Sequence, residues 1–384
     1  MKKIIEKILW KALCIVADRT GAVKGRFGDE VFRKKSMDPS FEWQQYTDKY
    51  IPYFQKYGFN VSRVECEYFS KASGIISDYY ITFTLWQYFI YPYLNRAEWR
   101  YAYTDKNMFE RILDINRVQK EIDVNIPETI ISNMNGILFV NGKISDFEDA
   151  VDAVVNHYSD MIIKPTVETC QGHGVAKIEY EGIARKNIVE LLKNYRVNYV
   201  VQNAVVQHPD LKAFNETSVN TIRLTTYRDF HGKIKVIQVL QRFGGKGSIF
   251  DNASAGGTFC AIHSDGTYDR TVHKFHTLKT SRLDDSLPQR VPYFEKIVSV
   301  CEYMHNQLPM FDIVAWDMTV TPEGHPYIIE YNICPAPELQ MATGPLFPKE
   351  DLDEIMQRIQ NYQITNEFKA IVSFPEKPGY YYRR

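Results

Sequence analysis

The chain has 384 residues, of which 45% are hydrophobic and 14% aromatic, and its formal net charge at pH 7 is −1. This length and composition predict a globular protein with one large core or two to three smaller ones. Because there is neither a net positive charge nor a block of Lys and Arg, nucleic acid is not an expected partner. The six cysteines form no CxxC pair, which argues against a zinc ribbon or a disulfide framework and favours a reducing cytosol.

The N-terminal quarter is predicted to be mostly helical and rich in aromatic residues. Residues 1–17 have the apolar spacing of an amphipathic helix, and they lack the unbroken apolar segment and cleavage site of a secretion signal. Two interpretations of this helix stay open, packing against the protein and peripheral contact with a membrane. Residues 79–94 are short for a membrane span and are interrupted by polar residues and Pro92, which predicts a buried helix.

From about residue 97, strand and helix patterns alternate, which predicts an α+β fold. In chain order the pattern predicts a strand over 99–103, a helix over 107–122, a hairpin over 136–146, a helix over 147–158, strands over 161–165 and 175–180, a helix over 185–194, strands over 199–206, 218–228 and 233–243, a helix over 292–307 and a hairpin over 317–332.

The last hairpin is predicted to hold two acids together. Its turn signal at 322–324 would place Asp317 opposite Glu330, with Asn332 on the same face as Glu330. Directly opposed like charges are destabilising, so the pair is expected to persist only if a cation neutralises it. Two carboxylates and an amide oxygen suit Mg²⁺ that is completed by water and nucleotide phosphates. The alternative is an ordinary hairpin with acidic residues on its solvent-exposed face.

Lys164 ends a predicted strand and precedes a loop that contains Gly172 and Gly174. The glycines would let the backbone approach a polyphosphate beside the ammonium group. The order differs from a Walker loop, in which the Lys follows the glycines. A surface hairpin with a Lys at its base is the alternative.

Two further polar segments are candidates for a site. Strand alternation through 218–223 would place Ser218 and Asn220 on one face and Arg223 on the other, with a solvated strand end as the alternative. Arg242 could clamp a phosphate or a carboxylate, or form a salt bridge at a sheet edge. The loop over 250–257 could offer backbone N–H groups to an oxyanion, or be a simple glycine turn.

The ordered set of these residues resembles the ATP-grasp superfamily, in which nucleotide is held between two α+β subdomains. The resemblance is carried by Lys106, Lys164 with its glycine loop, Gln202, Arg242, Asp317 and the pair Glu330 and Asn332. A narrower similarity, to the sugar-transfer-associated ATP-grasp proteins of cell-surface polysaccharide gene clusters, is carried by Gln207-His208-Pro209, the segment 218–223, Asp251-Asn252 with Gly256-Gly257, Trp316-Asp317 and the segment 329–332. It covers roughly residues 97 to 345.

The resemblance implies an ATP-grasp fold with ATP and Mg²⁺ as cofactors. It implies four regions: an N-terminal region over 1–95 that could bind an acceptor or a partner, a small subdomain over 96–205, a large subdomain over 206–345, and a C-terminal helix and tail over 346–384. The implied nucleotide-binding residues are Lys106, Lys164, Gly172, Gly174 and Gln202, the last at the adenine hinge. The implied metal ligands are Asp317, Glu330 and Asn332. The implied catalytic residues are Arg242, Arg223 and Asn220, and the implied substrate-binding residues are His208, Ser218, Asp251, Asn252, Gly256 and Gly257.

The activity implied is an ATP- and Mg²⁺-dependent carboxylate–amine ligase that acts through an acylphosphate and modifies a cell-surface polysaccharide or its precursor. Its partners would be a carboxylate-bearing small molecule or glycan and an amine, with a glycosyltransferase as a further candidate. A cytoplasmic location is expected, with contact at the inner face of the membrane left open. One alternative is a sugar kinase that uses His208 or Asp251 as its base. Another is a non-catalytic nucleotide-binding scaffold, against which the opposed acids argue.

Overall fold

The computed structural model describes residues 44–61, 63–96, 99–166, 174–245 and 256–362. The amphipathic helix predicted over 1–17 and the predicted tail beyond residue 362 lie outside these residues. Within them, two large antiparallel sheets, a two-stranded ribbon and their helices follow a helical N-terminal region. No helix in this described part of the chain is both long and apolar enough to cross a membrane.

The N-terminal region is helical, as predicted. Its elements are α1 (Gln44–Gln55), α2 (Arg63–Ser73), α3 (Phe83–Leu85), a π-helical turn (Trp86–Ile90) and α4 (Tyr91–Leu94). The aromatic segment predicted as a buried helix is buried, since Trp86 and Ile90 have no exposed surface. The Thr82 hydroxyl begins this segment by accepting a hydrogen bond from the Leu85 backbone N–H.

The segment that follows corrects one prediction. Its elements are α5 (Arg100–Thr104), a 3₁₀ turn (Lys106–Met108), α6 (Phe109–Ile112) and α7 (Ile115–Glu121). The strand predicted over 99–103 is wrong, because residues 100–104 are helical. Trp99 and Tyr103 are four positions apart, and their rings meet at a centroid distance of 6.3 Å. Such i, i+4 aromatic contacts suit a helix, although the same residues also fit a strand alternation.

The first sheet has six strands in the order β3-β2-β1-β6-β4-β5. They are β1 (Thr129–Met134), β2 (Ile137–Val140), β3 (Lys143–Ser145), β4 (Met161–Pro165), β5 (Ala176–Ile178) and β6 (Tyr199–Asn203). Two helices, α8 (Phe147–Val155) and α9 (Arg185–Tyr195), pack on one face in a shared apolar core. Because Ile163 and Val201 belong to that core, Lys164 and Gln202 lie on the opposite face.

The second sheet has five strands in the order β13-β12-β7-β8-β9. These strands and the nearby elements are α10 (Pro209–Lys212), β7 (Ile222–Arg228), β8 (Ile234–Phe243), β9 (Thr258–Ala261), the two-stranded ribbon β10 (Thr271–Val272) and β11 (Ser281–Arg282), α11 (Phe294–Asn306), β12 (Ile313–Val320) and β13 (Pro326–Asn332). The strand predicted from residue 218 begins only at Ile222, so the alternation expected over 218–221 does not hold. Helix α11 packs on one face, against Leu224 and Trp316.

The other face of this sheet, called the site face below, is shared by two environments. Tyr227 and Ile313 pair with each other and join an aromatic core with the N-terminal helices. Arg223 and Asp317 pair four residues further along the same two strands and are polar. A 3₁₀ turn (Pro337–Leu339), α12 (Gln340–Thr343) and α13 (Lys349–Tyr362) complete the aromatic side. The N-terminal region therefore covers part of the sheet face that carries the predicted metal ligands.

Candidate functional site

The hairpin of β12 and β13 has the register expected from its turn signal. Asp317 is paired with Glu330, and Ala315 with Asn332. Asn332 also donates from its side-chain Nδ2 to Asp317 Oδ2 at 3.3 Å. The three predicted metal ligands are therefore neighbours on the site face.

Asp317 is held by two arginines. Its side chain is only 1% exposed, and Arg223 donates to both carboxylate oxygens, from Nε at 2.8 Å and from Nη2 at 2.7 Å. Arg242 Nη2 lies 3.3 Å from Oδ2. Burial alone would raise the pKa of Asp317, but the two guanidinium groups outweigh it and hold the pKa below its ordinary value.

These contacts correct the expectation that only a bound cation could neutralise the opposed acids. Arg223 and Arg242 neutralise Asp317, while Lys106 Nζ lies 3.7 Å from Glu330 Oε2. The acids therefore have partners within the protein. Their presence does not by itself demand a metal, and it does not argue against the scaffold alternative.

The two sheets meet at Glu330. Lys164 projects from the face of the first sheet that α8 and α9 leave uncovered, and the Lys106 backbone N–H donates to the Thr166 carbonyl at the end of the same strand, at 3.0 Å. Burial lowers the pKa of Lys164 to about 8, with Lys106 acting in the same direction and Glu330 opposing it. Both ammonium groups thus share the field of one carboxylate from the second sheet.

Among the described residues, cationic side chains outnumber acidic ones at this junction. The cationic side chains are Arg223, Arg242, Lys106 and Lys164, and the acidic ones are Asp317 and Glu330. Four such cations close together suit a ligand with several anionic oxygens, such as a polyphosphate or a carboxylate.

Arg242 is fixed in place before any ligand binds. Its Nε donates to the Thr221 hydroxyl at 2.8 Å, and its backbone N–H donates to the Thr221 carbonyl at 2.8 Å. Thr221 was not among the residues selected from the sequence. It lies within the segment 218–223 that carries the resemblance, but no signal in the sequence joins it to Arg242, because the pairing of β7 with β8 brings the two residues together.

Asn220 has a different environment from the one expected of a catalytic residue. It is fully buried, and its side-chain Nδ2 donates to the carbonyls of Leu211 and Asn215, both at 2.9 Å. Gln207 Oε1 accepts from its backbone N–H at 2.9 Å. The amide nitrogen therefore holds the turn before β7. Ser218, two positions earlier, is also buried, and in the part of the chain that the structure describes its hydroxyl has no hydrogen-bond partner.

His208 is not brought to Asp317. Its backbone N–H donates to the Val320 carbonyl, and its Nδ1 accepts from the Asp210 backbone N–H at 3.2 Å. The ring lies against Tyr293, which directly precedes α11 on the opposite face of the sheet. This placement separates His208 from the group of charged residues.

The remaining predicted nucleotide-binding residues are only partly described. Gln202 Nε2 donates to the Thr129 hydroxyl at 3.0 Å, while its buried Oε1 has no hydrogen-bond partner among the described residues. The Thr129 hydroxyl in turn donates to Glu110, and neither Thr129 nor Glu110 was selected from the sequence. Gly174 has φ +74°, and a Cβ there would lie 2.9 Å from Pro165 Cγ, so glycine is required.

Among the predicted loop residues, Gly172, Asp251 and Asn252 lie outside the described residues. Gly256, with φ +97°, and Gly257 immediately precede β9. Their substrate-binding role stays a prediction.

The residues present fit ATP and Mg²⁺. Asp317, Glu330 and Asn332 offer hard oxygen donors, and the unpartnered Gln202 Oε1 is an acceptor on the face that carries Lys164. The described residues include no group of three or more His, Cys, Asp or Glu that could hold a metal. Two carboxylates and an amide leave coordination positions for phosphate oxygens, as Mg²⁺ commonly requires.

Comparison with known proteins identifies a family. The model of the family described as "Sugar-transfer associated ATP-grasp" matches residues 89–356, which is more than half of the chain. No protein of curated function matches the chain.

Solved structures with a similar fold include several ligases and synthetases. VanG D-Ala:D-Ser ligase from Enterococcus faecalis is 12% identical, with a TM-score of 0.40 over 67% of this chain and 61% of that one. An L-amino acid ligase from Bacillus licheniformis is 14% identical, with a TM-score of 0.37 over 66% and 48% of the two chains. An ADP complex of N5-carboxyaminoimidazole ribonucleotide synthetase is 11% identical, with a TM-score of 0.37 over 61% and 46%. The chain thus spans less than two thirds of each of these proteins.

Proposed function

Because the chain belongs to the sugar-transfer associated ATP-grasp family, we propose that it is an ATP- and Mg²⁺-dependent carboxylate–amine ligase. Membership confirms three predictions from the sequence: the family, the α+β ATP-grasp fold, and ATP with Mg²⁺ as cofactors. It makes the chain an ATP-grasp enzyme. The formation of an amide bond is the proposal.

The observation that carries the proposal is the junction of the two sheets at Glu330. Lys106 and Lys164 reach it from the first half of the chain, while Arg223 and Arg242 reach Asp317 from the second sheet. Four cationic side chains gathered in the described part of a partly buried site favour binding of a triphosphate together with a substrate carboxylate. Both groups are anionic and would repel each other in the absence of these cations.

The proposed reaction has two balanced steps. An oxygen of the substrate carboxylate attacks the γ-phosphorus of ATP, and ADP leaves. The amine nitrogen then attacks the acyl carbon, inorganic phosphate leaves, and the nitrogen loses a proton to give the amide. Neither step needs a covalent bond to the protein, so the chain's contribution is positioning and charge neutralisation.

Different described residues are proposed to bind the metal, to neutralise charge and to orient Asp317. Asp317, Glu330 and Asn332 would hold Mg²⁺, which when bound neutralises charge on the phosphate oxygens. Arg242, held by Thr221, would present a guanidinium group that needs no reorganisation during the reaction. Arg223 fixes the orientation of Asp317 through two hydrogen bonds.

The kinase alternative gains no support from a specific contact. It requires a general base near the acceptor hydroxyl. Of its two candidates, His208 lies against Tyr293 away from Asp317, and Asp251 lies outside the described residues.

The proposed substrate is a cell-surface polysaccharide or its precursor, to which an amino acid or another amine is added. The family description, with its reference to sugar transfer, supports this context. A cytoplasmic site of action, contact of residues 1–17 with the inner face of the membrane, and a glycosyltransferase partner remain parts of the proposal. So does the division into subdomains over 96–205 and 206–345, which the two sheets at 129–203 and 222–332 support.

The test is to measure ADP and phosphate release from Mg·ATP with a panel of uronic-acid sugars, with and without a mixture of amines, followed by mass analysis. Amine-dependent release of phosphate, with a product equal to sugar plus amine minus water, is the expected result. ADP formation with a sugar that gains a phosphate would overturn the ligase in favour of the kinase.

A comparison of two variants tests whether this activity depends on the proposed site. Lys106→Ala should lose most of the activity, because it removes an ammonium group that faces Glu330. Lys120→Ala, which changes an exposed lysine on α7, is the matched control and should retain activity. Equal activity in the two variants would count against the proposed phosphate site.

A further inference from the structure

Gln202 lies in a row of paired residues on the face of the first sheet that carries Lys164. Strand pairing places Thr129 directly opposite Gln202 on one side and Ile162 directly opposite it on the other. Since neighbouring strands are about 4.8 Å apart, the three residues span about 10 Å. Gln202 is only 5% exposed. The row therefore places a buried amide between a hydroxyl group and an apolar side chain.

This row lies beside the cationic residues at the junction of the two sheets. Lys164 is two residues from Ile162 along β4, and so lies on the same face at a distance of about 7 Å. In the other direction β4 ends at Pro165, one residue beyond Lys164. A triphosphate that contacts Lys164 would place the base of the same nucleotide one ribose away, a length comparable with this spacing. Ile162 and Gln202 would then offer the base an apolar surface and a hydrogen-bonding group.

The hydrogen bonds that hold Gln202 have a fixed direction. Glu110, an exposed residue on α6, accepts a hydrogen bond from the Thr129 hydroxyl at 2.6 Å. A carboxylate can only accept, so the hydroxyl proton of Thr129 is committed to Glu110. The Thr129 oxygen then accepts from the Gln202 side chain at 3.0 Å, and Gln202 must present its nitrogen there. The reverse orientation would set the amide oxygen against the hydroxyl oxygen with no proton between them.

The other end of the Gln202 amide is therefore held as an acceptor. Its Oε1 atom is buried and forms no hydrogen bond with the described residues. Buried polar atoms ordinarily have partners, so an acceptor left without one points to a donor that a ligand supplies. Adenine carries an amino group at position 6, which can donate. Guanine and hypoxanthine carry an oxygen at that position, which would face Oε1 as a second buried acceptor.

We propose that Glu110 and Thr129 determine the base selectivity of this chain, by holding Gln202 Oε1 as an acceptor for the 6-amino group of adenine. Glu110 and Thr129 are then positioning residues, which do not touch the nucleotide and act through Gln202. The inference rests on ATP as the cofactor that family membership assigns. It is independent of the proposed formation of an amide bond.

The test measures the dissociation constants of three magnesium-bound nucleotides by calorimetry: ATP, inosine triphosphate with its 6-oxygen, and purine riboside triphosphate with no group at position 6. In Glu110→Gln the new side chain can either accept from or donate to the Thr129 hydroxyl, so the Gln202 amide can take both orientations. We expect the preference for ATP over inosine triphosphate to fall about 10-fold or more, as for one buried group left unsatisfied. The dissociation constant of purine riboside triphosphate should change less than about twofold.

A second variant and a control complete the experiment. Thr129→Val removes the hydroxyl that joins Glu110 to Gln202, and it should lose the same preference for ATP. Glu190→Gln makes the same substitution as Glu110→Gln at an exposed position of α9, which packs on the other face of the first sheet. It should keep the selectivity of the wild type.

The other outcomes are also decisive. An unchanged preference for ATP in either Glu110→Gln or Thr129→Val would overturn the inference. A similar loss of affinity for all three nucleotides would overturn it as well, because that pattern indicates a structural defect and not the orientation of one amide. Equal affinity of the wild type for ATP and purine riboside triphosphate would mean that Gln202 Oε1 meets only water, which also overturns it. Loss of the preference in both variants of a protein that forms no product with any amine would support the inference and count against the ligase.

Discussion

Asp317 and Glu330 are proposed to hold the same ion, yet the structure predicts effects on stability of very different size when each is neutralised. Asp317 is 1% exposed and is bonded to Arg223 at 2.7 and 2.8 Å. Asp317→Asn leaves two guanidinium groups without their carboxylate, and loss of one partner of a buried ion pair costs about 3–5 kcal/mol. The side chain of Glu330 is 36% exposed and lies 3.7 Å from Lys106, an interaction worth about 0–1 kcal/mol.

The assay is urea denaturation of Asp317→Asn and of Glu330→Gln, together with measurement of Mg·ATP turnover by each variant. Both should lose turnover, but only Asp317→Asn should unfold at markedly lower urea. The pKa of Asp317 is held below its ordinary value, so its contribution is present above the ordinary pKa of an aspartate and is lost as the pH falls. The difference between Asp317→Asn and the wild type should therefore shrink in acid. Glu323→Gln, in the turn of the same hairpin, is the control.

Two results would refute this reasoning. If Asp317→Asn were as stable as the wild type at neutral pH, the arginines would not depend on this carboxylate. If Glu330→Gln kept normal turnover, the assignment of Glu330 to the metal would be wrong.

Three further predictions concern buried polar groups. Glu338→Gln should unfold at higher urea than the wild type at neutral pH, because burial raises the pKa of Glu338 and its charged form is unfavourable; below the ordinary pKa of a glutamate the two proteins should be equally stable. Asn95→Ala should lower the free energy of unfolding by about 2–4 kcal/mol in the same assay, since Asn95 makes hydrogen bonds with the backbone at Asp312, Ile313 and Ile333. An unchanged urea midpoint would contradict a stabilising role for these hydrogen bonds. Burial lowers the pKa of His305 to about 4, so the free energy of unfolding of the wild type should fall by about 3 kcal/mol between pH 6.5 and pH 4. If a His305→Gln variant showed the same pH dependence, that loss would have to come from other groups.

The features that the sequence predicted well depend on neighbours along the chain. The turn at 322–324 and the alternation on either side of it were enough to pair Asp317 with Glu330. Asp146 caps α8 through a reciprocal pair of hydrogen bonds with Asp149, three positions further along the chain. Local signals of this kind need no knowledge of the tertiary fold.

The features that could not be predicted from the sequence depend on contacts between distant segments. Arg223 was selected as a candidate, but its partner Asp317 is 94 positions away on a strand whose pairing with β7 no turn announces. Arginines of the protein therefore contribute to the neutralisation of Asp317 that the sequence analysis assigned to a bound cation alone. The hydrogen bonds from Asn220 Nδ2 to the carbonyls of Leu211 and Asn215 were likewise not predicted, and its catalytic role stays a prediction. The strand prediction for residues 99–103 failed for another reason, since their aromatic spacing fits helix and strand patterns equally.

The aromatic core shared by the N-terminal helices and the site face limits how such a protein can diversify. Trp86 and Tyr50 pack in one cluster with Tyr227 and Ile313, which belong to the strands that carry Arg223 and Asp317. Residues 44–94 are thus not a detachable module, and exchanging them between relatives would require matching changes on the sheet beneath. Variation in the acceptor is accordingly expected to arise in connecting loops and single side chains, with the helical layer inherited together with the sheet that it covers.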